Sequence, residues 1–255
     1  MNFDTILEDC KSRYRKFEGR IEPRRKPKSF EKAILEKKEQ GVNPIISEIK
    51  FSSPLGKIRE QEDPKAIARE MINGGACGLS VLTEEKYFGG SLGNLSEVSE
   101  ISSIPVLRKD FIFDEAQVAE SYYYGADSLL LIASFLDDAA LKKFIEKSRM
   151  LGIEPLVEIH SLEDIARAEK AGTRIYAINN RDKDTLRVDL NRSKVFSEAC
   201  TPSSSRKGIK ISSSGISTLR DLKFVLKYCD AALIGSAIMK GDIAEKVREF
   251  VYGSI

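Results

Sequence analysis

Eight short apolar runs recur along this chain from residue 44 onward, separated by stretches whose apolar residues return at helical spacing. The runs read "PIISEIK", "CGLSVLT", "IPVLRKD", "DSLLLIA", "EPLVEIH", "RIYAINN", "KGIKISS" and "AALIGS". Between them lie "DPKAIAREMINGG", "DEAQVAESYYYGA", "DDAALKKFIEKSRMLG" and "SLEDIARAEKAG", which open on Asp or Ser and close near Gly, residues that cap helices at either end. Near-continuous apolar strands joined by helices call for a parallel sheet covered by those helices, and eight such units are the number that closes a barrel. The expected fold is α/β, a (β/α)8 TIM barrel with an N-terminal helical extension. An open doubly wound sheet is the rival, but it usually carries a GxGxxG turn after an early strand, and none follows "PIISEIK". At 255 residues the chain is long for one ordinary domain and normal for one barrel. We therefore expect a single domain over 1–255, with an extension at 1–43 and eight βα units over 44–255.

Composition narrows the function classes. The 41 basic and 39 acidic residues leave a formal charge of +2, too even for a dedicated nucleic-acid or membrane binder, so any affinity for anions has to be local. One basic stretch, "RIEPRRKPK" at 20–28, is broken by Pro23 and Pro27. It reads either as a solvated tether or as a cap that adds positive potential over a barrel mouth. It brings no aromatic platform or module for nucleic acid. Cys10, Cys77, Cys200 and Cys229 are far apart, with no CxxC and no neighbouring His, so they read as reduced, buried thiols rather than metal ligands. The first twenty residues mix acids and bases without an apolar core, unlike a secretory signal. The longest apolar stretch, "SLLLIASFL", is less than half of the roughly 20 residues that cross a bilayer. A cytoplasmic protein is the expectation.

The informative charges stand at strand ends. Active sites of such barrels form at the C-terminal ends of the strands, where the loops surround one mouth. The first strand ends in Glu48 and Lys50, the third in Lys109 and Asp110, the fifth in Glu158 and His160, the sixth in Asn179, Asn180 and Arg181. Strand starts are mostly apolar or neutral. Strand parity puts Lys50 and Glu48 with Ile46, Lys109 with Leu107, and Glu158 with Leu156, so these charges share the face that fills the barrel and point inward. The seventh and eighth strands end instead in "SSSGIS" and "LIGSAI", small residues ahead of helices expected at Ser217 and near Ser236. Glycine lets backbone N–H groups approach an oxyanion, serine adds a donor, and a helix N-terminus adds partial positive charge, so the pair reads as a phosphate cradle. A phosphorylated small molecule is implied. His160, the one histidine, completes no metal site or nucleophile triad and reads as a rim or packing residue. Asp110 falls on the opposite face from Lys109.

Taken together, "IISEIKFSSP", "LSVLTEEKYFGGS", "VLRKDFI", "GADSLLLI", "LVEIH", "INNRDKDTL", "SSGIS" and "LIGSAIM", in that order over 44–240, resemble the indole-3-glycerol phosphate synthase family of tryptophan biosynthesis. The resemblance implies a lyase that closes a pyrrole ring on 1-(2-carboxyphenylamino)-1-deoxyribulose 5-phosphate with loss of carbon dioxide and water. It implies no cofactor and no metal, and the expected protein is a monomer. By position, it makes Lys109 the acid at the ketone and Glu158 the proton acceptor. Lys50 becomes the second lysine, holding the anionic substrate and donating a later proton, and Glu48 orients the lysines. Asn179 and Arg181 become the hydrogen-bonding pair on the substrate. Ser53, Ser214, Gly215, Gly235 and Ser236 would receive the phosphate, and Phe88, Phe111, Leu130 and Leu233 would enclose the aromatic ring. A lysine serves as an acid near neutrality if burial and neighbouring cations lower its pKa, which is the expectation for Lys109.

Two departures stand out. The family usually carries Glu-Ser-Gly after the seventh strand where this chain has Ser213, Ser214 and Gly215, and Ser-Pro-Ser in the first loop where Leu55 follows Pro54. They bear on fine geometry and rate rather than on the reaction. Two other functions compete: a phosphate-handling barrel such as a Schiff-base aldolase working through Lys50 or Lys109, and a silent barrel that binds polyanions through residues 20–28.

Overall fold

A computed structural model describes residues 2–19, 25–200 and 208–254. All eight apolar runs form strands, Ile45–Ile49, Gly78–Leu82, Val106–Lys109, Ser128–Ile132, Glu154–Ile159, Ile175–Asn179, Ile209–Ser213 and Ala231–Ile234. Each pairs in parallel with the next and the eighth returns to the first, closing the barrel. The helices between them start where the sequence places caps. Asp63 accepts from Lys65 N ahead of a helix that opens on Pro64, Asp114 forms a capping box with Gln117, and Asp137 and Ser161 cap the next two helices.

Strand parity separates two cores. Ile46, Leu107, Leu130, Leu156, Ala177, Ile211 and Leu233 fill the barrel interior. Alternate residues such as Leu129, Leu131, Val157 and Ile178 pack outward against Ile145 and Ile165 of the helix layer. Side chains of this size contribute about 1.5–3 kcal/mol each when fully buried, so the register is strongly held.

The extension contributes two helices at opposite ends of the barrel. Phe3–Arg13 lies at the mouth, where Phe3 meets Phe111 at 6.3 Å between ring centroids. Phe30–Glu39 closes the floor, with Phe30 and Ile34 fully buried among Cys77, Ile175, Ile209 and Ala231 at the strand starts. The basic stretch goes to the floor as well, which overturns its reading as a cap over the mouth. Arg25 donates from Nη1 and Nη2 to the carboxylate of Asp127 at 2.6 and 2.9 Å, and Lys28 N adds 2.7 Å. Residues 20–24 of that stretch lie outside the described residues.

Two further expectations change. Strand starts are less neutral than the pattern suggested, because Asp127 and Glu154 stand there as anchors for the extension: Glu154 accepts from Ser29 Oγ at 2.5 Å and Phe30 N at 2.6 Å. The helix expected near Ser236 is a single turn, in which Ile238 N and Met239 N both donate to Gly235 O. The next helix starts only at Ile243, after an Asp242 cap, and the helix expected at Ser217 starts at Leu219 with Thr218 as its cap. A small hairpin, Ser52–Ser53 with Gly56–Lys57, was not foreseen. Among the described residues no helix is long and apolar enough to cross a membrane.

Candidate active site

The C-terminal ends of the strands surround a cavity of about 790 Å³, a size suited to a small ligand. It is lined by every residue the sequence nominated: Glu48, Lys50, Ser53, Phe88, Lys109, Phe111, Leu130, Glu158, Asn179, Arg181, Ser214, Gly215, Leu233, Gly235 and Ser236. Their convergence follows from parity, because an inward side chain one layer above the packed interior has only the mouth to face.

At the centre Lys109 Nζ lies 3.2 Å from Oε2 of Glu158. The other oxygen, Oε1, takes Nδ2 of Asn179 at 3.0 Å and Nε2 of His160 at 2.9 Å. Asn179 in turn accepts Arg181 N on Oδ1 at 2.9 Å, so one amide ties the base to the residue beside it. Across the mouth Lys50 Nζ meets Glu48 Oε1 at 2.8 Å, and Ser80 Oγ donates to the other Glu48 oxygen at 3.3 Å. Glu48 and Glu158 are buried, 2% and 1% exposed, so neither charge is supported by bulk water. Each is balanced by an inward lysine.

These pairs set the protonation states. Burial alone would raise the Glu158 pKa, but the Lys109 ammonium outweighs it, with His160 and Asn179 adding to the effect, and holds the carboxyl well below its ordinary range. Burial likewise works against the Lys109 ammonium, yet the fields of Glu158 and Glu48 prevail and its pKa rises above the usual lysine value. The lowered lysine expected from the sequence is thus corrected: carboxylates, not cations, are the neighbours that matter. Burial lowers the pKa of Arg181, whose Nη1 donates to Leu186 O at 2.7 Å.

The opposite wall is made of turns. Ser214 and Gly215 both lie in the left-handed region, at φ 70 and 80. A serine there is uncommon, and Asn180 Nδ2 supports the turn by donating to Ser214 O at 3.1 Å. A side chain at 215 would run into Val188. Gly235 makes room for something other than a phosphate, since a Cβ there would stand 2.5 Å from Oε1 of Glu48. Ser53 is engaged within its own hairpin, donating to Gly56 O and accepting from Leu55 N, both at 3.3 Å. Ser213, which stands where the family usually has Glu, lines the cavity and donates to Ile178 O at 3.2 Å.

Aromatic side chains close the remaining side. Phe88 and Phe111 lie 6.3 Å apart. Phe88 is placed by Glu84, whose buried carboxylate accepts Tyr87 N at 2.7 Å and Phe88 N at 3.2 Å while Arg13 of the extension binds it at 2.8 Å. This explains the acid in "TEEKYFGGS": it folds the loop rather than facing a ligand.

Phe3, Lys57, Leu186, Val188, Lys240 and Lys246 also line the cavity, and sequence reasoning missed all six. Lys240 and Lys246 follow the "LIGSAIM" turn closely, a weak signal that only the folded turn makes useful. Asp110 meets Arg108 at 3.0 Å and Thr83 Oγ1 at 2.5 Å, as its opposite parity implies. Among the described residues no three His, Cys, Asp or Glu side chains gather as a metal would require.

Comparison with known proteins gives one consistent answer. A family model described as indole-3-glycerol phosphate synthase matches residues 5–250. The indole-3-glycerol phosphate synthase of Methanocaldococcus jannaschii is 45% identical over 250 residues, 96% of this chain and 91% of that protein. The enzyme of the same name from Acetivibrio thermocellus is 42% identical over 228 residues, covering 88% and 85%. That from Aquifex aeolicus is 41% identical over 232 residues, covering 89% and 87%.

Proposed function

The chain belongs to the indole-3-glycerol phosphate synthase family, carboxy-lyases of tryptophan biosynthesis, and we propose that its barrel mouth closes the pyrrole ring of 1-(2-carboxyphenylamino)-1-deoxyribulose 5-phosphate through Lys109 and Glu158. The ring carbon bearing the carboxylate attacks the ketone, and Lys109 gives its proton to the ketone oxygen as the bond forms. Carbon dioxide leaves, and the electron pair of the broken bond restores the aromatic ring. The new hydroxyl then departs as water with a proton from Lys50, while Glu158 takes the proton of the adjacent methylene. The atoms balance as one carbon dioxide and one water lost.

The observation that carries this reading is the 3.2 Å contact between Lys109 and Glu158 inside the cavity that also holds the glycine turns of the seventh and eighth strands. Each group is held in the form its role requires, the ammonium charged and the carboxylate ionised. The same pairing makes Lys109 a weak acid at rest. A substrate that parts it from Glu158 withdraws the field that retains its proton, so binding itself would activate the acid. Glu48 holds Lys50, Asn179 holds Glu158, Arg181 and the turns at Ser214, Gly215, Gly235 and Ser236 take the anionic ends with Ser53, and Phe88, Phe111, Leu130 and Leu233 take the ring.

The test is incubation with that substrate while following indole fluorescence, in wild type and in Lys109→Ala and Glu158→Gln. Product at the wild-type rate in either variant removes the mechanism. Borohydride trapping separates the aldolase alternative, since a covalent lysine adduct with a sugar phosphate would favour it. We further read the protein as one cytoplasmic domain over 1–255, monomeric, acting without cofactor or nucleic acid, and sedimentation of the purified chain tests the monomer.

A further inference from the structure

His160 has no part in the chemistry above, yet it is the side chain most closely set against the proposed base. Its side chain is 2% exposed, and Nε2 lies 2.9 Å from Oε1 of Glu158. Three elements hold it in place. His160 N donates to Asp164 Oδ2 at 2.9 Å, His160 O accepts from Arg192 Nη2 at 2.5 Å, and the ring meets Phe3 edge-on at 6.3 Å and 82°. Nδ1 is buried with no partner among the described residues.

These facts select a tautomer. An ionised carboxylate only accepts, so the nitrogen facing Glu158 has to carry hydrogen, while a hydrogen on Nδ1 would be a buried donor without an acceptor. Two donors, from His160 and Asn179, thus meet on Oε1. They fix the plane of the carboxylate and leave Oε2 as the oxygen that faces Lys109 and the cavity. A histidine kept only for packing has no need of that contact, and an apolar ring would fill the space against Phe3 equally well.

We propose that His160 is a positioning residue, whose Nε2–H locks the carboxylate of Glu158 so that Oε2 is presented to the reacting methylene. This rests on Glu158 being the proton acceptor. A base turned away by about an ångström loses on the order of a hundredfold in rate without weakening substrate binding.

The test compares His160→Leu, His160→Gln and Glu158→Gln. Leucine removes the donor, and kcat is expected to fall about tenfold to a hundredfold with KM nearly constant. Glutamine offers an amide N–H near the position of Nε2 and should recover most of the loss. His160 is the only histidine of the chain, so nitrogen-15 NMR of the wild type reads its tautomer without assignment. Hydrogen on Nε2, and a shift of that resonance in Glu158→Gln, are the expected result. Wild-type kcat in the leucine variant, equal loss in the leucine and glutamine variants, or hydrogen on Nδ1 would each overturn the proposal. Should the leucine variant fail to fold, the tautomer and its response to Glu158→Gln still decide. A fully active Glu158→Gln would instead remove the reading of Glu158 as base, which is a separate failure.

Discussion

At the floor of the barrel Asp127 accepts two N–H groups of Arg25, the backbone N–H of Lys28 and that of Val106, at 2.6 to 2.9 Å. At the mouth Glu158 accepts from His160, Asn179 and Lys109 at 2.9 to 3.2 Å. Both carboxylates are almost wholly buried, 0% and 1% exposed. They differ in what their partners face. Around Asp127 the partners are strand starts and the extension, packed shut, so the charge serves to fasten two segments a hundred residues apart in the chain. Around Glu158 the lysine borders an open cavity, and its hold on the carboxylate can be exchanged for a ligand. Burying paired charge at a closed end stabilises the fold; burying it beside a cavity stores a protonation state for use.

The sharpest way to break this contrast is to remove a charge at each end. Lys109→Ala and Glu158→Gln should each lower turnover by about a thousandfold, the usual range for a positioned acid or base, with a melting temperature close to wild type. Indole fluorescence and a thermal melt report both. Asp127→Ala should do the reverse, costing about 3 kcal/mol by leaving a guanidinium and two backbone donors without their acceptor. For a chain of this size that is a fall of about 6–12 °C in melting temperature, with turnover per folded molecule unchanged. Loss of activity without loss of stability in Asp127→Ala would collapse the distinction.

A third substitution sharpens it from inside the mouth. Gly235→Ala puts a Cβ against Oε1 of Glu48 and so disturbs the Lys50 pair. About a tenfold drop in kcat is expected. If only phosphate affinity suffers, the glycine serves the ligand and not Glu48.

Acid titration distinguishes the ends in a gentler way. The folded pKa of Glu158 lies below its ordinary 4.5, so the stability it contributes is complete above 4.5 and is lost as pH falls toward the folded value. For Glu154 at the floor, burial raises the pKa despite three donors, so its contribution is complete below 4.5 and declines as pH rises through the folded value. Denaturant melts from pH 6 to pH 3 should therefore show a smaller acid loss in Glu158→Gln than in wild type. A parallel pair of curves would show that the mouth pair carries no such linkage. The smallest effect belongs to Leu55→Ser at the 69% exposed hairpin tip, expected to shift stability by less than about 0.5 kcal/mol and kcat/KM by less than about threefold.

Much of the site was legible because a barrel strand has a period of two. A charged residue in phase with Ile46, Leu107 or Leu156 at a strand's end has to point into the mouth, and that parity alone brought Lys50, Lys109 and Glu158 to one cavity. The glycine and serine runs were visible for the same reason, since they occupy the corresponding place in the seventh and eighth units. The contact of His160 with Glu158 carried a parity signal too, two residues apart on one strand, but nothing local tells a ring that packs from one that donates.

The chain's own periodicity thus determined the barrel, the number of its units and which charges turn inward, because each is settled by neighbours within a strand or a helix. Tertiary structure alone decided that Arg25 goes to the floor, that Gly235 clears Glu48 and that Lys109 holds its proton more tightly than a free lysine. The reason is physical: each depends on the sum of contacts and fields from residues such as Asp127, Glu48 and Glu158, dozens of positions away in sequence, and only closure of the barrel sets those distances.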